Sequence, residues 1–236
     1  MSQDTDLKTE DTKPKEPFLL NIGLNVIIPS LILMKFSGPE KLGQVYGLII
    51  AMLFPISYGV WDFIKSKKFN FFSGLGLFSV LMTGGIGLFK LNREWMIAKE
   101  TAIPFLMGLA VIISNYTKVP LVKSFLNQIL NLEEINAEFD KHGHAHLFEK
   151  NLRTSSFLLG GTFFLSAVLN YVLAVMTLVG QPGTVEFNES LGKMTALSFP
   201  VITFPMMFMV MGIIFFIANS IKKNTEKEIE NFLRQK

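Results

Sequence analysis

Cysteine is absent, charged residues make up only 17% of the 236, and histidine and tryptophan number three and two. Without a thiol the chain has no disulfide, no cysteine-ligated zinc, no iron–sulfur cluster and no cysteine nucleophile, while its redox compartment stays undecided. Also missing are a Walker loop, a dinucleotide fingerprint, a nucleophile elbow and a His-Glu-x-x-His helix. No catalytic residue, cofactor or resident metal is therefore expected. His142, His144 and His146 alternate, and imidazoles two apart can chelate on an extended chain. Only Asp140 and Glu149 stand near them, so a solvated loop is the simpler expectation. Neither sign of charge dominates, with 22 Lys and Arg against 19 Asp and Glu. The basic residues form short clusters between apolar runs, which is a membrane pattern and not a nucleic-acid footprint.

What the chain does have is apolar length. Half of its residues are hydrophobic and 23 are Phe, a composition outside that of soluble domains. Six runs lack Asp, Glu, Lys and Arg: Phe18–Met34, Leu42–Trp61, Phe69–Phe89, Thr101–Thr117, Thr154–Gly180 and Met194–Ile221. A bilayer needs roughly 20 residues per helix. The first and fourth runs reach that length if they extend across Lys35 and Lys99, whose long stems can snorkel to the headgroups. The expectation is an all-α polytopic membrane protein with six spans over 18–221, resident in the lipid bilayer. Residues 1–17 are charged and nearly free of apolar side chains, and read as a disordered cytoplasmic tail. The run after them lacks a basic flank and an A-x-A-like site, so it is not expected to be a cleaved signal.

Orientation follows from the cations. With the N-terminus inside, 16 Lys and Arg fall on the cytoplasmic side and 6 outside, an asymmetry that places both termini in the cytoplasm of a bacterial inner membrane. The connection 118–153 is then cytoplasmic. Its Leu121, Val122, Phe125, Leu126, Ile129 and Leu130 recur at helical spacing, predicting an amphipathic helix on the inner leaflet or under the spans. Ile221, Thr225, Ile229 and Phe232 predict that the sixth span continues as a helical tail through 222–236. No internal repeat is evident, which weakens an inverted-repeat transporter.

Five prolines lie inside runs: Pro29, Pro55, Pro104, Pro200 and Pro205. Each frees the carbonyl four residues earlier, as a binding site, a hinge or only a kink repaired by neighbours. A helix beginning near Thr101 would put Pro104 harmlessly in its first turn. Lys99 and Glu100 are the most deeply placed ionisable neighbours. They point about 100° apart on a helix, so each is expected to need another partner, or else to snorkel beside Trp95. Asn25 and Asn170 are further candidates for a polar binding site. Thr162, Ser166, Asn170 and Ala174 form a small, polar stripe at steps of four, and Ser79, Thr83 and Gly87 another, both read chiefly as packing seams. The sequons at Asn115 and Asn188 are expected by chance.

Three segments carry a resemblance: Glu149-Lys-Asn-Leu-Arg-Thr, Leu165-Ser-Ala-Val-Leu-Asn-Tyr-Val-Leu-Ala, and Leu191-Gly-Lys-Met-Thr-Ala-Leu-Ser-Phe-Pro-Val-Ile. With Pro29, Leu31, Lys99-Glu-Thr and Lys118-Val-Pro-Leu, they resemble an uncharacterised family of bacterial inner-membrane proteins similar in layout to intracellular septation protein A. The resemblance implies a Gram-negative envelope protein tied to synthesis, elongation or division, with envelope-assembly or division proteins as partners and no assigned reaction. It carries over no catalytic residue. The long histidine-bearing connection and the acidic tail depart from the septation protein. Two roles follow as expectations: a non-enzymatic protein acting by contacts, or a small transporter or lipid-handling protein with a polar site in proline-broken helices.

Overall fold

The computed structural model describes residues 22–66 and 71–234; the expected tail at 1–17 and the first residues of the first and third apolar runs lie outside them. The described chain is helical, without strands, apart from one antiparallel bridge between Leu130 and Leu233. In order come a wide π turn, Gly23–Ile27, then α1 (Ile28–Phe36), α2 (Gly43–Ser66), α3 (Phe71–Leu88) and α4 (Arg93–Ser114). Two short helices follow, α5 (Leu121–Ile129) and α6 (Leu132–Lys141), then the long α7 (Ala145–Thr177) and α8 (Val185–Ser198). A second π turn, Phe199–Thr203, leads into α9 (Phe204–Thr225), and a 3-10 turn, Ile229–Phe232, closes the described chain.

Among the described residues four stretches are long and apolar enough to cross a membrane: Gly43–Trp61, Arg93–Ser114, His146–Thr177 and Val185–Thr225. Shorter apolar helices cover Gly23–Phe36 and Gly74–Leu88. Their outer surfaces carry side chains such as Leu106, Val168, Phe208 and Phe215, each more than half exposed. An apolar surface of that extent is intolerable in water and fits hydrocarbon. The chain is a multi-pass helical membrane protein.

Without a hydrophobic force between helices inside a bilayer, close packing needs small residues. The most extensive pairing is α4 against α7, and glycine is the reason. A Cβ on Gly108 would stand 3.0 Å from the Gly160 carbonyl oxygen, and one on Gly160 would stand 2.6 Å from Ile112 Cγ1. The two backbones touch there. The glycines, and not the stripe of Thr162, Ser166 and Asn170, set this approach.

Two hydrophobic cores lie at opposite ends of the bundle. One joins Leu33, Leu48, Ile86, Met96, Ala174, Phe187 and Leu191, where α1, α3 and α7 end and α2, α4 and α8 begin. The other joins Leu132, Ile135 and Phe139 of α6 with Phe148 and Leu152 of α7, Ile217 and Ile221 of α9, and Phe232. Phe148 and Ala174 share α7 and stand about 39 Å apart at 1.5 Å per residue. That separation exceeds the roughly 30 Å of bilayer hydrocarbon, so α7 projects beyond it.

Two expectations change here. The connection expected to reach Arg153 ends earlier, because α7 begins at Ala145 and its first turns anchor the second core. Nor does the sixth run continue as a helical tail. Glu226 adopts a left-handed backbone at φ 58°, the helix stops at Thr225, and the chain folds back. Phe232, 1% exposed, then enters the second core, and Asn131 N–H donates to the Phe232 carbonyl while Arg234 N–H donates to that of Ile129. Burial of one aromatic ring decides the reversal, since a straight helix would leave it in solvent.

Candidate functional site

The prolines mark where regular helix geometry yields. Pro29 is preceded by a π turn in which Ile28 N–H donates to the Gly23 carbonyl, five residues back, and Asn25 sits in that turn. Pro200 lies within the second π turn and Pro205 just beyond it, and there Phe204 N–H donates to the Phe199 carbonyl. A residue that cannot donate is absorbed by widening the turn, and the helical run from Val185 to Thr225 is not interrupted. Pro55 is interior to α2, and Pro104 is interior to α4, because α4 starts at Arg93 and not near Thr101. Pro104 therefore has no N–H to return to the Glu100 carbonyl.

On that same turn of α4 stands Lys99, whose residue is 5% exposed. Its ammonium donates to Thr83 Oγ1 at 2.9 Å and to Ser79 Oγ at 3.2 Å, both on α3, and lies 2.7 Å from Glu100 Oε1. An ammonium has three N–H groups, and three acceptors surround this one. Thr83 in turn donates to the Ser79 carbonyl at 3.1 Å. Lys99 takes further partners, as its place beside Glu100 led one to expect, but it pairs with Glu100 as well. Their Cβ atoms do diverge by about 100°, but the four-carbon lysine stem is long enough to swing its tip back around the helix. The Glu100 side chain keeps 22% exposure, which leaves it one open side.

Asn170 does not join this cluster. Its amide donates within its own helix, to the Ser166 carbonyl at 2.8 Å and Ser166 Oγ at 3.3 Å. Thr162 likewise donates back to the Leu158 carbonyl at 2.9 Å. In hydrocarbon a hydroxyl that bonds one turn back on its own helix needs no ligand. Asn188 does bond across helices: 1% exposed, it donates to the Gln44 carbonyl at 2.7 Å and to Ser37 Oγ at 3.2 Å. It ties α8 to the end of α1 and the first turn of α2. An enclosed Asn188 is closed to glycosylation, so its sequon is a chance pattern.

At the other end, Glu138 of α6 is 7% exposed and lies 2.9 Å from Lys141 Nζ and 3.0 Å from Lys227 Nζ. Hydrogen bonds from Lys141 and then Lys227 hold its carboxyl below the usual carboxylate value, with burial opposing. Lys227 thereby pins the folded-back chain after α9 onto α6, while Lys141 pairs with Glu138 within α6. Of the three histidines, His142 contacts the same helix: its Nδ1 is 2.9 Å from the Glu138 carbonyl oxygen. Among the described residues no group of three His, Asp or Glu side chains is placed to hold a metal.

The stripe of Ser79 and Thr83 was legible as a packing seam, but not as the acceptor set for Lys99, because sequence gives no register between α3 and α4. The signal was a lysine inside one apolar helix and two hydroxyls four apart on its neighbour. Asn188, set aside as a chance sequon, gave none. Compared with known family models, curated proteins and solved structures, the chain matches none.

Proposed function

We propose that the protein is a six-span bacterial inner-membrane protein, with both termini cytoplasmic, that acts in envelope assembly, elongation or division through contacts and not by catalysis. Six spans follow if α1 and α3 cross alongside the four long helices, each completed by its flanking residues. The distribution of cations supplies the orientation, and the septation-type resemblance supplies the envelope. The observation that carries the contact reading is the saturation of Lys99: its three N–H groups meet Ser79, Thr83 and Glu100. The deepest cation is thereby a fixture between α3 and α4, without a donor left for a substrate. Outside the long helices, α5 presents Phe125 and Ile129 at 45% and 61% exposure.

A small transporter or lipid-handling protein is the second reading. It is favoured by an apolar groove of about 600 Å³ between Leu24 of the first π turn and Leu53, Phe54, Tyr58 and Trp61 of α2.

Reporter fusions test the topology. Phosphatase should be active after Lys41, Arg93 or Glu186 and inactive after Lys67, Lys141 or Lys236, and activity at Lys141 would sink it. Complementation separates the roles. Glu100→Gln, at wild-type protein level, should still rescue an envelope phenotype, whereas Phe125→Glu with Ile129→Glu should not. The opposite pattern favours transport through a site at Glu100.

A further inference from the structure

Where α4 ends and α7 leaves the bilayer, three cations and an amide converge on one cavity. Lys123 of α5 and Lys150 and Arg153 of α7 line a space of about 370 Å³ with Asn115 and Ser156. One carboxylate, Glu149, lines it too and is already engaged by Lys123. Among the described residues neither Lys150 nor Arg153 has an ion-pair partner. The Asn115 amide nitrogen is fully enclosed and finds no hydrogen-bond acceptor among the described residues.

The position matches a bilayer surface. The Arg153 guanidinium lies over the rings of Tyr116 and Phe157, 5.4 and 5.8 Å from their centroids. Tyrosine at a helix end marks the headgroup layer. Stacking orients the planar guanidinium, whose fork fits two phosphate oxygens. Basic pockets between spans at that depth suit anionic headgroups.

We propose that this cavity binds a phosphate anion, held by Lys150 and Arg153, and supplied by the headgroup of an acidic phospholipid. The proposal goes beyond the contact role and needs only that the adjoining ends of α4 and α7 lie at a membrane surface. It stands or falls independently of orientation and of any envelope phenotype.

The test uses the full chain in zwitterionic detergent, titrated with phosphatidylglycerol, phosphatidylcholine or inorganic phosphate, with bound lipid counted by native mass spectrometry and unfolding followed by temperature. Phosphatidylglycerol should bind at least tenfold more tightly than phosphatidylcholine. Lys150→Gln with Arg153→Gln should weaken it at least fivefold, while the equal charge loss of Lys41→Gln with Lys193→Gln should not. Both pairs replace exposed side chains, and Arg153→Lys, which keeps charge but not the fork, should fall between wild type and the double variant. Inorganic phosphate that stabilises the wild type as well as the lipid does, and only through Lys150 and Arg153, would keep the phosphate site but overturn its lipid source. No preference for phosphatidylglycerol and no response to phosphate, or equal weakening by the two charge-loss pairs, would overturn the site.

Discussion

Removing either member of the Lys99–Glu100 pair should have unequal consequences. At 2.7 Å and an effective dielectric of about 20, the gross attraction is about 6 kcal/mol, most of it offset by desolvation of the ammonium. Lys99 is enclosed, whereas the Glu100 side chain keeps 22% exposure. Glu100→Ala therefore strands a buried cation with only the two hydroxyls of Ser79 and Thr83, and should cost about 3 kcal/mol, the low end for a broken buried pair. Lys99→Met keeps the apolar stem and removes the charge. Glu100 can then turn to the headgroups, and Thr83 keeps its bond to the Ser79 carbonyl, so about 1 kcal/mol is expected. The double variant should cost close to Lys99→Met alone, because the stranded charge no longer exists. Reversible denaturant unfolding in bicelles measures all three. A larger loss from Lys99→Met than from Glu100→Ala, or strict additivity in the double variant, would refute the reasoning.

Other outcomes follow from the packing. Gly108→Ala should destabilise the α4–α7 contact by about 1–3 kcal/mol, because the new Cβ meets the Gly160 carbonyl at 3.0 Å and backbone cannot move aside; unchanged unfolding would remove this contact as the closest approach. Phe125→Glu with Ile129→Glu should leave stability in detergent within about 0.5 kcal/mol, as expected of exposed positions, yet open 121–130 to protease in membranes; unchanged protection would count against its contact with the inner leaflet or with the ends of the spans. Glu138 carries a depressed carboxyl value, so it stabilises the fold above the ordinary 4.5, and that contribution fades as pH falls through its lower folded value. Glu138→Gln should flatten the acid limb of a stability-against-pH curve, and an unaltered limb would exclude the Lys141 and Lys227 contacts as its cause.

The sequence by itself determined the class, because uninterrupted apolar runs leave helices as the only backbone that satisfies its own hydrogen bonds in hydrocarbon. It also predicted helix over Leu121–Leu130, where α5 runs from Leu121 to Ile129, since helical period is a local property. Neighbour relations were another matter. Lys99 and Thr83 are separated by a turn, and which hydroxyl meets the ammonium depends on the rotation of α3 against α4, which no local pattern encodes. The same holds for Gly108 and Gly160, far apart in the chain and in backbone contact. Ile229 and Phe232 fit a continuing helix as well as a reversal. Only the vacancy between α6, α7 and α9 decided for reversal, because a Phe ring buried there leaves water and a helical tail would keep it exposed.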